Sequence, residues 1–363
     1  MAIGQNRHNK GIALIVTLTI ITLLVTISLE LNRQVRGAVM DSAAFRDRAT
    51  LRHMIYSGVA MAETILTRDK QDTQVDSIQE DWANPEKIEA YLSNLAFDKG
   101  DLSIRISDEL SRIQVNALVT YPKGRNFNET QQKLWYRFIT LMLSQQEESE
   151  ETFFNEPIEP AAIINPVKDW LDSEDDDAIS GLNGAEDDYY RDLDPSYACR
   201  NGPMRHINEL LRIKNISPEL FYSTEEAMTG IAQFMTVYGM KEGDNGFAYP
   251  GQINLNTAEA PVIAGILPAG REFLAPEIVA YREEKEGQEY IHELTDPNWY
   301  KQVPGCSDLE IESDLITTQS DIFRIECMGE LNDMAMAAQV IVKREKESES
   351  GRWICRELSW RFL

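Results

Sequence analysis

Histidine is scarce in this sequence. His8, His53, His206 and His292 are the only four among 363 residues, and no two lie three to five residues apart. That spacing excludes the paired-imidazole metal sites of the common zinc hydrolases. Cysteine is as rare: Cys199, Cys306, Cys327 and Cys355 form no C-x-x-C pair, which argues against a zinc ribbon or a thioredoxin-type redox motif. Basic charge is also short. With 35 Lys+Arg against 60 Asp+Glu the formal net charge is −25, which disfavours non-specific nucleic-acid binding and docking of the folded part on anionic lipid. No nucleophile elbow or P-loop is present, so no catalysis is expected. Apolar residues at 43% and charged residues at 26% are globular composition, not disorder.

What the chain does have is one long apolar run. Residues 12–29 (IALIVTLTIITLLVTISL) carry no formal charge, and as a helix they span roughly 27 Å, close to a bilayer core. The leader before them is charged only through Arg7, Lys10 and the chain amine, which sets the bulk of the chain outside the cytoplasm. A cleaved secretory signal has an apolar core of about 7–15 residues and a small-x-small cleavage site. This run is longer and continues through Glu30, Leu31 and Asn32 without a break, so it reads as a membrane anchor. Residues 32–67 contain no proline, and Ile55, Val59, Ala62 and Leu66 fall on one helical stripe, with Val35, Val39 and Phe45 roughly in line. A single helix is expected, half in the membrane and half amphipathic beyond it.

A basic leader ending in Lys10-Gly11, followed by an apolar helix from Ile12, resembles the signal of type IV pilins and pseudopilins. The resemblance implies cleavage by a prepilin peptidase between Gly11 and Ile12, with methylation of the new amine. Major pilins have Glu at the fifth mature position, where this chain has Val16. A Glu in the bilayer needs a partner, and in that family it pairs with the amine of the subunit already in place. The apolar Val16 therefore resembles the K-class minor pseudopilin of type II secretion, which occupies the tip of the fibre.

Downstream, residues 87–95 read as a short helix, and Leu102, Ile104 and Ile106 alternate as in a half-buried strand. Asp108-Glu109 suggests a turn, with Ile113, Val115 and Ala117 as the returning strand. Strands are also expected at 323–327 and 335–342 and from Trp353 to the C-terminus, with 343–349 as a solvated hairpin loop. Between these groups the periods are helical, at 134–143, 161–171, 206–212, 224–238, 258–267 and 276–285. The expected fold is α+β: a type IV pilin-like long helix plus antiparallel sheet, with a large α-helical domain inserted in the sheet. The boundaries expected are a leader at 1–11, the membrane part of the helix at 12–31, and the first pilin-like segment at 32–122. The insertion follows at 123–310 and the closing strands at 311–363.

The densest charge lies at 169–194 (DWLDSEDDDAISGLNGAEDDYYRDLD), with eleven carboxylates and only Arg191 as a basic residue. Trp170, Leu171, Tyr189 and Tyr190 interleave with the acids, and Gly181 and Gly184 permit a turn that folds the two acidic runs together. Packed carboxylates repel unless a cation neutralises them, and hard oxygen donors outside the cytoplasm suit Ca²⁺. The spacing fails the EF-hand template, so any site is irregular. DWLDSEDD, GAEDDYY and LDPSY resemble the calcium loop of the K-class α-domain. The resemblance implies a structural Ca²⁺ held by Asp172, Asp175, Asp177, Glu186, Asp187 and Asp188, with Asp169 and Asp194 in reserve as ligands, helix caps or partners of Arg191.

Residues 252–294 look like a helix-hairpin-helix, with Asn256 or Thr257 as a cap. The loop from Gly265 to Gly270 lacks a close Gly-x-Gly pair, and Arg271 and Arg282 are outnumbered by nearby glutamates, so a scaffold use is expected. The cysteines would lie in an oxidising compartment. Cys327 with Cys355, in terminal strands that could be neighbours, and Cys199 with Cys306 are the disulfide candidates, free buried thiols being the alternative. The resemblance implies a single-pass inner-membrane protein with a periplasmic bulk and no nucleic-acid role. Its partners would be the I- and J-class minor pseudopilins and the prepilin peptidase, with exoproteins and the secretin as further contacts. The rival reading is a membrane-anchored periplasmic DNA-uptake receptor.

Overall fold

The computed structural model describes residues 8–93, 95, 97, 99–147, 158–173, 179–222, 230–243 and 246–363. Its first element, α1 (His8–Asp72), is one uninterrupted helix of 65 residues. The apolar run 12–29 is exposed along its length, and the helix is long and apolar enough to cross a membrane. From Leu51 onward one face is covered: Leu51, Met54, Ile55, Val59, Ala62 and Leu66 are all buried. Val35, Val39 and Phe45 stay exposed, so this part of the expected stripe is not covered by the described residues.

The buried face lies on a four-stranded antiparallel sheet formed by β1 (Asp101–Asp108), β2 (Ile322–Leu331), β3 (Met334–Lys346) and β4 (Trp353–Phe362), in that spatial order. Ile106, Phe323, Ile325, Cys327, Ala338, Val340 and Val342 supply the sheet's half of the core. Trp82 closes one end, edge-on to Phe323 at 5.2 Å. Next to it stands α2 (Pro85–Leu92), whose N-cap Asn84 accepts hydrogen bonds from the amides of Glu86 and Lys87.

Everything between β1 and β2 is the insertion, residues 109–321, with its own larger core. Its main helices are α3 (Glu129–Glu147), α4 (Ala161–Leu171), α5 (Asp187–Arg191), α6 (Ala260–Ile266) and α7 (Ala275–Glu283). The expected boundaries 123 and 310 are therefore corrected on both sides. Residues 113–117 do not return along β1, whose neighbour is β2. Instead Ile113–Gln114 pairs in parallel with Met235–Thr236, and Val115–Leu118 is a 3₁₀ turn. The alternation misleads because the nominally solvent-facing Gln114 and Asn116 are buried too, Asn116 donating to the carbonyls of Met204 and Val237. At the far side Ile316–Thr317 pairs with Ile253–Asn254 inside the insertion.

Two further expectations are corrected. The described part of 224–238 is a 3₁₀ turn (Ile231–Phe234) running into Met235–Thr236, not a helix; residues 224–229 fall outside the described residues. The charged run from Lys343 is no loop at first, since β3 extends to Lys346 with Arg344 buried. Arg344 donates to the carbonyls of Leu66 and Ser320 and to the carboxylates of Asp69 and Asp76.

Polar bonds at the seam lock the insertion to the sheet. The buried Asp108 at the end of β1 accepts from Asn254 Nδ2 and Thr257 Oγ1, both at 2.7 Å. Next to it, Glu109 receives Arg324 at 2.8 and 2.9 Å, Arg112 at 2.9 Å and Thr236 at 2.8 Å. Burial alone would push the Glu109 carboxyl up, but the two guanidinium groups outweigh it and hold it low.

Candidate metal centre

Helix α4 delivers the first donors. Asp169 and Asp172 are three residues apart at its C-terminal end, which stacks them on one side of the last turn. The chain returns through Gly181, whose φ of +59° is left-handed, and reaches Glu186 at the N-terminus of α5. Gly184 is required by contact: a Cβ there would lie 2.2 Å from Asp169 Oδ2. Its bare backbone lets Asp169 accept from the amides of Ser180 (3.1 Å) and Ala185 (2.9 Å).

The result is a cluster of three buried carboxylates. Asp169, Asp172 and Glu186 each offer an oxygen within 4.8 Å of the others, and all are at most 3% exposed. Lys168 donates to Asp172 at 2.5 Å and lies 3.8 Å from Asp169. The donors gathered here are all hard carboxylate oxygens, the type that Ca²⁺ takes, so the residues fit a Ca²⁺ ion. Trp170 and Tyr190 form the wall, edge-on at 5.1 Å, and Tyr190 stacks on Tyr197 at 5.5 Å. Cys199 adds no thiolate, because burial, with the Glu186 and Asp172 charges, pushes its thiol up to about 12.

The expected ligands divide. Asp172 and Glu186 come together, joined by Asp169, which the sequence reading held only in reserve. Asp187 instead accepts the Cys199 amide at 2.9 Å and pairs with Arg191. Asp188 points to solvent on α5, and Asp194 is exposed. Asp175 and Asp177 lie outside the described residues. A second acidic group, Asp69, Asp76 and Glu80, is also close-set, but Arg344 and Lys70 already fill it.

The disulfide candidates are corrected: all four cysteines are free. Cys327 is on β2 and Cys355 on β4, with β3 between them. Their β3 partners, Ala338 and Arg344, are six residues apart, which adds roughly 20 Å along the strand at about 3.4 Å per residue. A disulfide needs Cα atoms within about 7 Å. Cys199 lies against the Asp169 carbonyl at 3.6 Å, while Cys306 is buried in the insertion's core.

The helix pair at 252–294 forms as α6 and α7, with different roles for its polar residues. The cap of α6 is Glu259; Asn256 is buried and accepts from Trp299 Nε1 at 2.7 Å, and Thr257 bonds Asp108. Arg282 is buried, donating to the Leu255 carbonyl, and Arg271 pairs with Asp308 at 2.8 Å. These cations are occupied internally, as a scaffold requires. Gly11, Ile12 and Val16 all lie on α1, the latter two exposed.

Residues 111–231, the stretch that builds this centre, match the family model of the type II secretion system (T2SS), protein K. Over that stretch the chain is similar to type II secretion system protein K. Two curated proteins of that name agree: one from Pectobacterium carotovorum subsp. carotovorum is 28% identical over 217 residues, covering 59% of this chain and 60% of its own length. Another, from Pseudomonas aeruginosa, is 25% identical over 271 residues, covering 72% and 69% respectively. The matched part spans only about three-fifths of the Pectobacterium protein and of an Aeromonas hydrophila relative. In fold, the chain is similar to one in the crystal structure of the GspK-GspI-GspJ complex from the enterotoxigenic Escherichia coli type 2 secretion system. There the TM-score is 0.56 at 12% identity, over 88% of this chain and 99% of that one.

Proposed function

We propose that this chain is the minor pseudopilin at the tip of the type II secretion pseudopilus. The observation that carries the reading is the match to protein K over residues 111–231, set on a pilin-like helix and sheet. In this reading α1 crosses the inner membrane once and holds the bulk in the periplasm. Prepilin peptidase cuts between Gly11 and Ile12, and the new amine is methylated. With Val16 apolar, no buried charge seeks the amine of a subunit ahead, so the chain starts the fibre by packing with I- and J-class minor pseudopilins. The insertion caps the assembly, and the growing fibre moves folded exoproteins through the secretin. The chain acts by assembly and performs no catalysis. Asp169, Asp172 and Glu186 would hold a structural Ca²⁺ that joins the end of α4 to the start of α5.

The alternative, a DNA-uptake receptor, has no support from a surface on which Arg271 and Arg282 are already engaged. The test is genetic. Deleting the gene in a strain with a working type II system should leave exoproteins folded in the periplasm, and the wild-type chain should restore export. Full export without it would overturn the reading.

A further inference from the structure

The sheet has an open edge. β4 is ten residues long and pairs only with β3, so its outer backbone groups meet no strand among the described residues. An edge of this length is a template for another strand. One bulge interrupts it, where Leu358 lies between the paired residues Glu357 and Ser359, and Ile354, Leu358 and Phe362 remain exposed along it. A groove of about 1000 Å³ runs from β4 across the sheet face to Arg324 of β2, with Gln339, Ser359 and Arg361 on the sheet side and Glu209 and Arg212 on the insertion side.

Charge and hydrogen bonding narrow the occupant. In a chain of net −25, residues 352–363 hold Arg352, Arg356 and Arg361 against Glu357 alone. Arg356 is shared with Glu345 at 3.2 Å, whereas Arg361 and Arg212 reach no carboxylate among the described residues. A basic edge suits an acidic strand. A second copy of this chain suits it less well than an acidic strand, because its residues 352–363 carry the same surplus of three arginines over one glutamate.

We propose that β4 and this groove receive an extended acidic segment of a partner protein, which adds a fifth strand to the sheet. The inference stands on the edge and its charge and does not need the tip assignment. The test uses the full chain in uncharged detergent micelles. The probe is a fluorescent ten-residue peptide alternating Glu and Val, with a Lys-Val peptide as control. The acidic peptide should bind in the micromolar range and slow amide exchange in residues 353–362. Arg356→Glu combined with Arg361→Glu should weaken binding by about tenfold or more. The milder Arg361→Gln should weaken it by about threefold, a check that survives any misfolding of the double variant. Binding weaker than about 1 mM, equal binding of the Lys-Val peptide, unchanged affinity in folded variants, or protection confined to other segments would overturn the proposal.

Discussion

Gly58 of α1 and Cys327 of β2 meet so closely that a Cβ on the glycine would lie 2.9 Å from the Cys327 Sγ, and as close to Leu102 Cδ2. The glycine sets how near the long helix lies to the sheet. Gly58→Val should therefore cost about 1–3 kcal/mol by overpacking, read as a lower thermal midpoint of the full chain. Gly37 has nothing within 4 Å of such a Cβ, so Gly37→Ala should leave the midpoint unchanged or raise it slightly through helix propensity.

Arg344 is the buried cation that joins α1 to the sheet through Asp69 and Asp76. Arg344→Ala leaves those carboxylates without their main counter-charge and should cost about 3–5 kcal/mol. Denaturant unfolding measures it. A loss below about 1 kcal/mol would mean that Lys70, 3.1 Å from Asp76, carries the pair alone.

Stability should fall as the medium turns from mildly acidic to neutral. Burial pushes Asp108 up to about 6, against opposing hydrogen bonds from Ser320 and Thr257. Burial and the Glu80 charge push Asp69 up to about 7, with Arg344 opposing. Both lie above the unfolded value of 3.8. Between pH 4 and 7, roughly, the folded chain keeps protons that the unfolded chain has released, so each group's contribution is whole below about 4 and lost as pH rises through its folded value. Asp108→Asn should flatten the fall of unfolding free energy between pH 5 and 7. Parallel curves for variant and wild type would refute the assignment.

For the acidic loop, Ca²⁺ should raise the thermal midpoint relative to EDTA. Asp172→Asn or Glu186→Gln should remove most of that rise, while Asp188→Asn, on an exposed side chain, should preserve it. An equal loss in all three would point to diffuse counter-ion binding instead of a site.

The lower half of α1, the sheet strands and the boundaries of α4 were legible because their periodicity reflects one-sided burial, whereas the run 12–29 was legible from its unbroken apolar length. Ile55, Val59, Ala62 and Leu66 all pack as their spacing implies. Residues 113–117 misled because burial there is two-sided, with Gln114 and Asn116 satisfied by internal hydrogen bonds that leave no trace in hydropathy. Arg344 was hidden for a related reason: in a run of charged residues nothing local marks the one that turns inward to meet Asp69 and Asp76, some 270 residues earlier. In the candidate centre, the Asp169–Asp172 spacing at the end of a helix was a usable signal for a shared face. Sequence alone could not tell that Asp187, next to Glu186, turns away to the Cys199 amide.

The central claim is a place at the tip among other minor pseudopilins. It is tested most directly by extracting the full chain in mild detergent together with I- and J-class minor pseudopilins of the same system. The account predicts a single species with one copy of each at micromolar concentration. Separate elution of this chain under conditions where the other two remain bound to each other would contradict it.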